Sequence, residues 1–314
     1  MSVNQSSSRE IGMEKYFFLA SSEDFTKVPG SPIAYWVSKE FSDVFVKSEQ
    51  LNNYFDPRQG MATGDNGSFV RGWYEVSQKL FEKSINSKSA AHASGSRYFP
   101  YNKGGGFKKW YGNRDDVIKF DVDSYRILKN QGNHCPSENL YFQPNIGWSK
   151  VSSGNAAFRH YEHFIFDVAG CSIFGGGEDD RGYLIGFLNS YVCRAVLSIF
   201  SPTLNFEVGA VKQLPLFNRS SLREKCSKIS KEAIDLSKVD WNSYEFSWDF
   251  SSHPLLQIGH LQPTLKASYQ SLRTHWREMT LDMQRLEREN NRIFIEAYGL
   301  QDELSPEVPD DQIT

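Results

Sequence analysis

Cysteine is scarce and scattered in this sequence: Cys135, Cys171, Cys193 and Cys226 are the only four in 314 residues, and none forms a Cys-x-x-Cys pair. That spacing argues against a zinc site and a disulfide framework, and fits reduced thiols in a cytoplasm. No apolar run approaches the length of a membrane span, which argues against a helical membrane protein. The N-terminus lacks a charged start followed by an apolar run and a cleavage site, so no export signal is expected. Charge of one sign is also missing. The formal net charge is −3, so any affinity for nucleic acid has to come from a local patch and not from the sum.

The signatures of several chemistries are absent too. An amino-methyltransferase grips its flipped base with an Asp/Asn-Pro-Pro-Tyr/Phe loop and holds its cofactor at a strand followed by a glycine-rich turn; neither is found. The glycine runs at 104–106 and 175–177 lack the trailing Lys-Ser/Thr of a phosphate loop. Asp116-Val117-Ile118-Lys119 has the wrong spacing for a metal-dependent nuclease. His160 and His163 have no evident third ligand, so a structural or exposed pair is the favoured reading. No catalytic, cofactor or metal constellation is expected within this chain.

Aromatic residues are abundant: 14% of the chain, with 23 Phe, 15 Tyr and 7 Trp. Part of them will be core, and part lie in glycine-rich, basic loops. Residues 1–13 read as a polar, disordered lead-in, followed by a strand-like Tyr16–Leu19. A helical spacing through Phe41, Val44 and Phe45 stops at Asn52-Asn53. Residues 55–130 and 146–174 read mostly as short strands and loops. From Tyr183 the period changes, predicting one buried helix to Phe200 that ends at Pro202. After the Leu214-Pro215-Leu216 break, helices are predicted over 219–238 and 263–299, with Gly299 as the stop. The tail from Asp302 is acidic with two prolines.

Three segments are more specific. The first is Arg58-Gln59-Gly60-Met61-Ala62-Thr63-Gly64-Asp65-Asn66, with Phe69-Val70-Arg71 and Trp73-Tyr74-Glu75-Val76. The second runs from Arg97-Tyr98-Phe99-Pro100-Tyr101-Asn102-Lys103 through Gly104-Gly105-Gly106-Phe107-Lys108-Lys109-Trp110-Tyr111 to Gly112-Asn113. The third comprises Trp148-Ser149-Lys150-Val151, Ala157-Phe158-Arg159 and Phe166-Asp167-Val168-Ala169-Gly170. With Gly186–Ser190, Pro202–Phe206 and Gln213-Leu214-Pro215, they resemble the PglX-type adenine-specific methyltransferases of BREX phage-resistance systems, from about Tyr16 to the tail.

The resemblance implies that a large methyltransferase domain, carrying S-adenosylmethionine and the catalytic motifs, lies outside this chain. This chain then corresponds to a C-terminal target-recognition portion, inactive by itself. The implied fold is α+β: a mixed, mostly antiparallel, β-rich recognition domain over 14–217, a helical spacer or docking region over 218–300, and the acidic tail 301–314. In type I specificity subunits a similar Leu-Pro turn closes a recognition domain before a spacer helix. The implied partners are double-stranded DNA, a methyltransferase half in cis or trans, and other defence proteins, with no membrane. The alternative class is a protein-interaction decoy or inhibitor of a defence complex, or an inactive gene remnant.

The residue chemistry suits DNA without requiring it. Thr63, Gly64, Asp65 and Asn66, with Arg71 beyond, form a turn able to meet phosphate or a base edge, or a purely structural turn. Arg97, Lys103, Lys108, Lys109 and Arg114 supply positive charge beside Gly105, whose freedom lets backbone approach a phosphate. Tyr98, Tyr101, Trp110 and Tyr111 are divided between stacking and core. Ser149, Lys150 and Arg159 are candidates for backbone contact, with structural roles favoured in that segment. Glu138-Asn139-Leu140-Tyr141-Phe142-Gln143 matches the site of a widely used viral protease, but Pro144 follows, and the match is read as coincidence.

Overall fold

The structure is a computed structural model that describes residues 26–31, 35–131, 135–152, 154–201, 203–217 and 220–313. The lead-in, the strand-like Tyr16–Leu19 and Pro202 lie outside the described residues. The fold is α+β, as expected from the resemblance.

Two four-stranded sheets form the first part. One is antiparallel throughout, in the order β2 (Asp56–Arg58), β9 (Gly170–Phe174), β6 (Asn145–Ser149) and β7 (Phe158–Tyr161). The other runs β3 (Val70–Gly72), β5 (Asp116–Lys119), β4 (Tyr98–Asn102) and β8 (Ile165–Phe166), with β4 and β8 parallel. Every residue of β6 and β9 is buried, so these strands are covered on both faces. Ile146, Trp148, Cys171 and Ile173 point into a core shared with the helices, while Phe99, Tyr101, Ile118 and Phe166 build a second core on the other sheet. The short helices α1 (Lys39–Lys47), α2 (Asn66–Phe69), α3 (Lys88–Ala93) and α4 (Val122–Asn130) decorate this part.

The single helix predicted over 183–200 is two helices. α5 (Glu178–Leu188) and α6 (Tyr191–Phe200) are bent by 66° at their junction. Ser190 accepts from the Cys193 N–H at 3.3 Å and so starts a new helix. Asn189 exchanges two 3.0 Å hydrogen bonds with the Phe158 backbone, acting as an extra rung beside β7. Apolar periodicity continues across the break, which is why the pattern alone conceals it. Among the described residues no single helix is long and apolar enough to cross a membrane.

Leu214-Pro215-Leu216 is more than a break. β10 (Pro215–Leu216) pairs antiparallel with β1 (Glu49–Gln50) before the chain turns helical. The short α7 (Val208–Lys212) precedes it. α8 (Ser220–Trp241) and α9 (Leu265–Tyr298) then match the predicted helical stretches to within a few residues. Gly299 ends α9 at φ 73°, and the Leu300 N–H returns to Ile295 O at 3.0 Å. The tail folds back along α9, where Gln284 Nε2 donates to Val308 O at 2.8 Å and Asn291 Nδ2 to Pro306 O at 3.2 Å. The helical core is continuous with the first sheet: Trp110 and Trp148 belong to the same cluster as Met283 and Phe294.

All four cysteines are free and buried, and burial pushes the Cys171 and Cys226 thiols up to about 12. The protease-like hexapeptide is part of the fold. Tyr141 and Phe142 are buried, and the Phe142 N–H donates to Phe164 O at 2.8 Å.

Candidate nucleic-acid interface

The parallel strands β4 and β8 end side by side at Asn102 and Phe166, so the loops leaving them emerge together. Asn102 ties them: its Oδ1 accepts from the Gly104 N–H at 3.0 Å and its Nδ2 donates to Gly170 O at 3.2 Å. Asp167 does the same from the other loop, accepting from the Tyr101 hydroxyl at 2.5 Å, the Ala169 N–H at 2.7 Å and Lys103 Nζ at 3.4 Å. Met61 joins as a third loop, its N–H on Phe166 O and its carbonyl under the Val168 N–H, each at 3.0 Å. Two glycines permit this closeness. A Cβ on Gly60 would lie 1.9 Å from Phe166 O, and one on Gly170 would lie 2.2 Å from Asn102 O. The Lys150 N–H reaches Ala169 O at 2.8 Å, bringing in the end of β6.

One edge therefore collects Thr63–Asn66, Lys103–Gly106, Ser149 and Lys150. Thr63 is buried and donates to Asn66 Oδ1 at 2.6 Å, which fixes the loop from within. Gly64, at φ 73°, and Asn66 are exposed. Asp65 caps α2 through the Ser68 hydroxyl and N–H, and those bonds hold its carboxyl below the ordinary value. Arg71 folds back onto Gly67 O and Val70 O. Gly105 and Gly106 are exposed, while Ser149 is buried and donates to Gly105 O at 2.9 Å. Lys150 is half-buried and pairs with Glu207 at 3.1 Å.

Of the remaining candidates, two lie at the far end of β4 and five are buried, and Lys108 stays beside the glycine loop. Arg97 and Tyr98 stand at the opposite end of β4 from Lys103, with Arg97 paired to Asp121 at 3.0 Å. Tyr101, Lys109, Trp110, Tyr111 and Arg159 are interior, because burying their long side chains is how the loop is anchored. Lys109 pairs with Glu287 on α9, which also accepts from the Trp110 indole. The Tyr111 ring lies 3.9 Å from the Arg114 guanidinium, which donates to His160 O at 2.8 Å. Arg159 is buried with no carboxylate partner among the described residues. It donates instead to Tyr161 Oη, Lys108 O and Ser149 Oγ, each at 3.1 Å, and so ties the C-terminal end of the glycine loop to β6 and β7. Lys108 remains half-buried beside that loop.

Asn102 and Asp167, which organise the edge, carry no role in the sequence reading. Both lie in the quoted segments, but only the parallel pairing of two distant strands makes them partners. Acidic groups also flank the edge: Asp115 and Asp116 are raised by burial, Asp115 to about 6. His160 turns to Glu162 at 3.3 Å and His163 to Ile85 O at 2.7 Å, so the two do not share a ligand direction. At 175–177 the Gly177 N–H is occupied by Asp180, and the first turn of α5 is acidic.

No family model matches the chain. Its similarity is to adenine-specific methyltransferases, with nearly the whole chain aligned to a portion of each relative. It is 36% identical over 311 residues to "Adenine-specific methyltransferase PglX" of Lacticaseibacillus casei (strain Zhang), an alignment covering 95% of this chain and 26% of that protein. It is 32% identical over 288 residues to "Adenine-specific methyltransferase BrxX" of Escherichia coli O9:H4 (strain HS), covering 90% and 22%. The chain thus spans about a quarter of the length of these relatives, as a C-terminal portion of a PglX-type protein would.

Proposed function

We propose that this chain recognises a specific duplex DNA sequence for an adenine N6-methyltransferase in a BREX-type phage-defence system. The observation that carries the reading is the convergence of three loops, 61–66, 103–106 and 167–169, at the paired ends of β4 and β8. Lys103 and Lys150 would neutralise phosphates, exchanging Asp167 and the exposed Glu207 for them. The exposed backbone of Gly105 and Gly106 lets DNA approach closely, and Asn66 presents an amide able to read a base edge. Methyl transfer and S-adenosylmethionine binding belong, in this reading, to a methyltransferase part in cis or trans, acting with this chain in the cytoplasm.

Selection of bound duplexes from a random pool by the purified chain tests this. Convergence on one short sequence is expected, and an unenriched pool after several rounds contradicts sequence-specific recognition. A second reading, a protein-interaction element of a defence complex, is favoured by the exposed apolar half of α9.

A further inference from the structure

Along α9, Leu265, Tyr269, Leu272, Trp276, Met279, Met283 and Leu286 recur at alternating spacings of four and three, the seam of a helix that packs lengthwise on another. The C-terminal half of that seam is used: Met283 and Leu286 are each only 4% exposed, packed in the helical core. The N-terminal half continues the same line into solvent, with Leu265 75%, Tyr269 50% and Trp276 37% exposed. Leu272 alone is buried there, on the side where the preceding loop brings the buried Pro254. That loop also leaves Leu256, Ile258 and Leu261 exposed. Exposed apolar side chains continuing the line of a packed helix seam mark an interaction site.

Charge indicates what covers it. At helical spacing Lys266, Arg273 and Arg277 line one edge of the exposed stripe, all three are exposed, and no ion pair engages them among the described residues. Glu278 and Asp282 project to other sides, and Asp282 pairs with Arg285. A second copy packed antiparallel on the stripe would set this basic edge against its own image. DNA would engage the cations and leave the apolar stripe beside them in water.

We propose that the exposed half of α9 is the docking seam for an acidic amphipathic helix of a partner. That helix carries apolar residues at spacings of three and four and carboxylates along the edge facing Lys266, Arg273 and Arg277. The proposal is independent of the DNA-recognition reading.

The probe is a synthetic four-heptad helix with leucines on its seam and glutamates on its flanks, titrated against the full chain beside the same helix with lysines in their place. The chain is expected to bind the glutamate helix at least tenfold more tightly than the lysine helix. Tyr269→Ala with Trp276→Ala removes at least tenfold of that affinity, and Arg273→Glu with Arg277→Glu reverses the preference. Circular dichroism melts confirm that these surface variants remain folded. Equal binding of both helices, or no reversal in the charge-swapped variant, overturns the proposal. So does a dimer in sedimentation that Trp276→Ala dissolves, which assigns the seam to a second copy. Duplex-DNA affinity that falls in the Arg273/Arg277 variant while helix binding is unchanged assigns the basic edge to nucleic acid instead.

Discussion

Glu287 accepts the Trp110 indole N–H at 2.9 Å on one carboxylate oxygen and Lys109 Nζ at 2.5 Å on the other, joining positions nearly 180 residues apart. Trp110 adopts φ 66° with its side chain fully buried, so the basic glycine-rich segment turns inward immediately after Lys108. The contact fastens the loop to α9 and buries Lys109 away from the proposed DNA interface.

Removing Glu287 leaves a buried ammonium and an indole N–H without their acceptor. Burial already pushes the Lys109 ammonium down, with Glu287 counteracting. Glu287→Ala is expected to destabilise the fold by about 3–5 kcal/mol in urea unfolding, whereas replacing Lys109 and Glu287 together by Met costs far less. Equal losses in the single and double variants would show that the pair is not coupled.

The raised carboxyl of Asp115 has a pH signature. Its folded value is about 6 against an ordinary 3.8, with burial the larger cause and Asp116 the smaller. The folded state holds this proton more tightly than the unfolded chain. The group is therefore destabilising above about pH 6, and the penalty fades as pH falls towards 4. Asp115→Asn should stabilise the protein by about 2 kcal/mol at pH 7.5, the full shift discounted for the partial solvent exposure of the carboxyl, and by almost nothing at pH 4, in denaturation across that range. A gain that is the same at both pH values contradicts the assignment.

The close approach of the loops rests on glycines. Gly60→Ala places a methyl inside Phe166 O, and Gly170→Ala does the same at Asn102 O; each is expected to cost about 3 kcal/mol or more. Gly106→Ala meets nothing within 4 Å, and its stability should stay within about 0.5 kcal/mol of wild type. Thermal melts of the three variants distinguish a packed loop junction from a loose one.

Long-period features were readable from sequence because they depend on local pattern. The 34-residue α9 with Gly299 at its end, the start of α8 and the short strands around the glycine loops all follow from periodicity and turn chemistry. The α5–α6 bend was not, because Asn189 acts through a distant strand. The candidate site was legible in its residue types but not in their placement. Lys103, Gly105, Asn66 and Lys150 sit on the shared edge, but a basic or aromatic residue looks the same in sequence whether it faces solvent or is buried. Lys109, Trp110 and Arg159 are interior because their partners lie on other elements, and Arg97 is remote because it precedes the end of β4 opposite Lys103. Asp167 and Asn102 became identifiable only when β4 and β8 were seen to pair in parallel.

The most direct test of the account is duplex-DNA binding by fluorescence anisotropy across a salt series, comparing the wild type with Lys103→Ala/Lys150→Ala and with Arg97→Ala. Affinity is expected to fall steeply with salt, with a tenfold or greater loss and a salt slope shallower by about 1–2 in the double variant, and near-wild-type binding for Arg97→Ala. Loss of binding in Arg97→Ala with none in the double variant would place the DNA at the other end of β4 and contradict it.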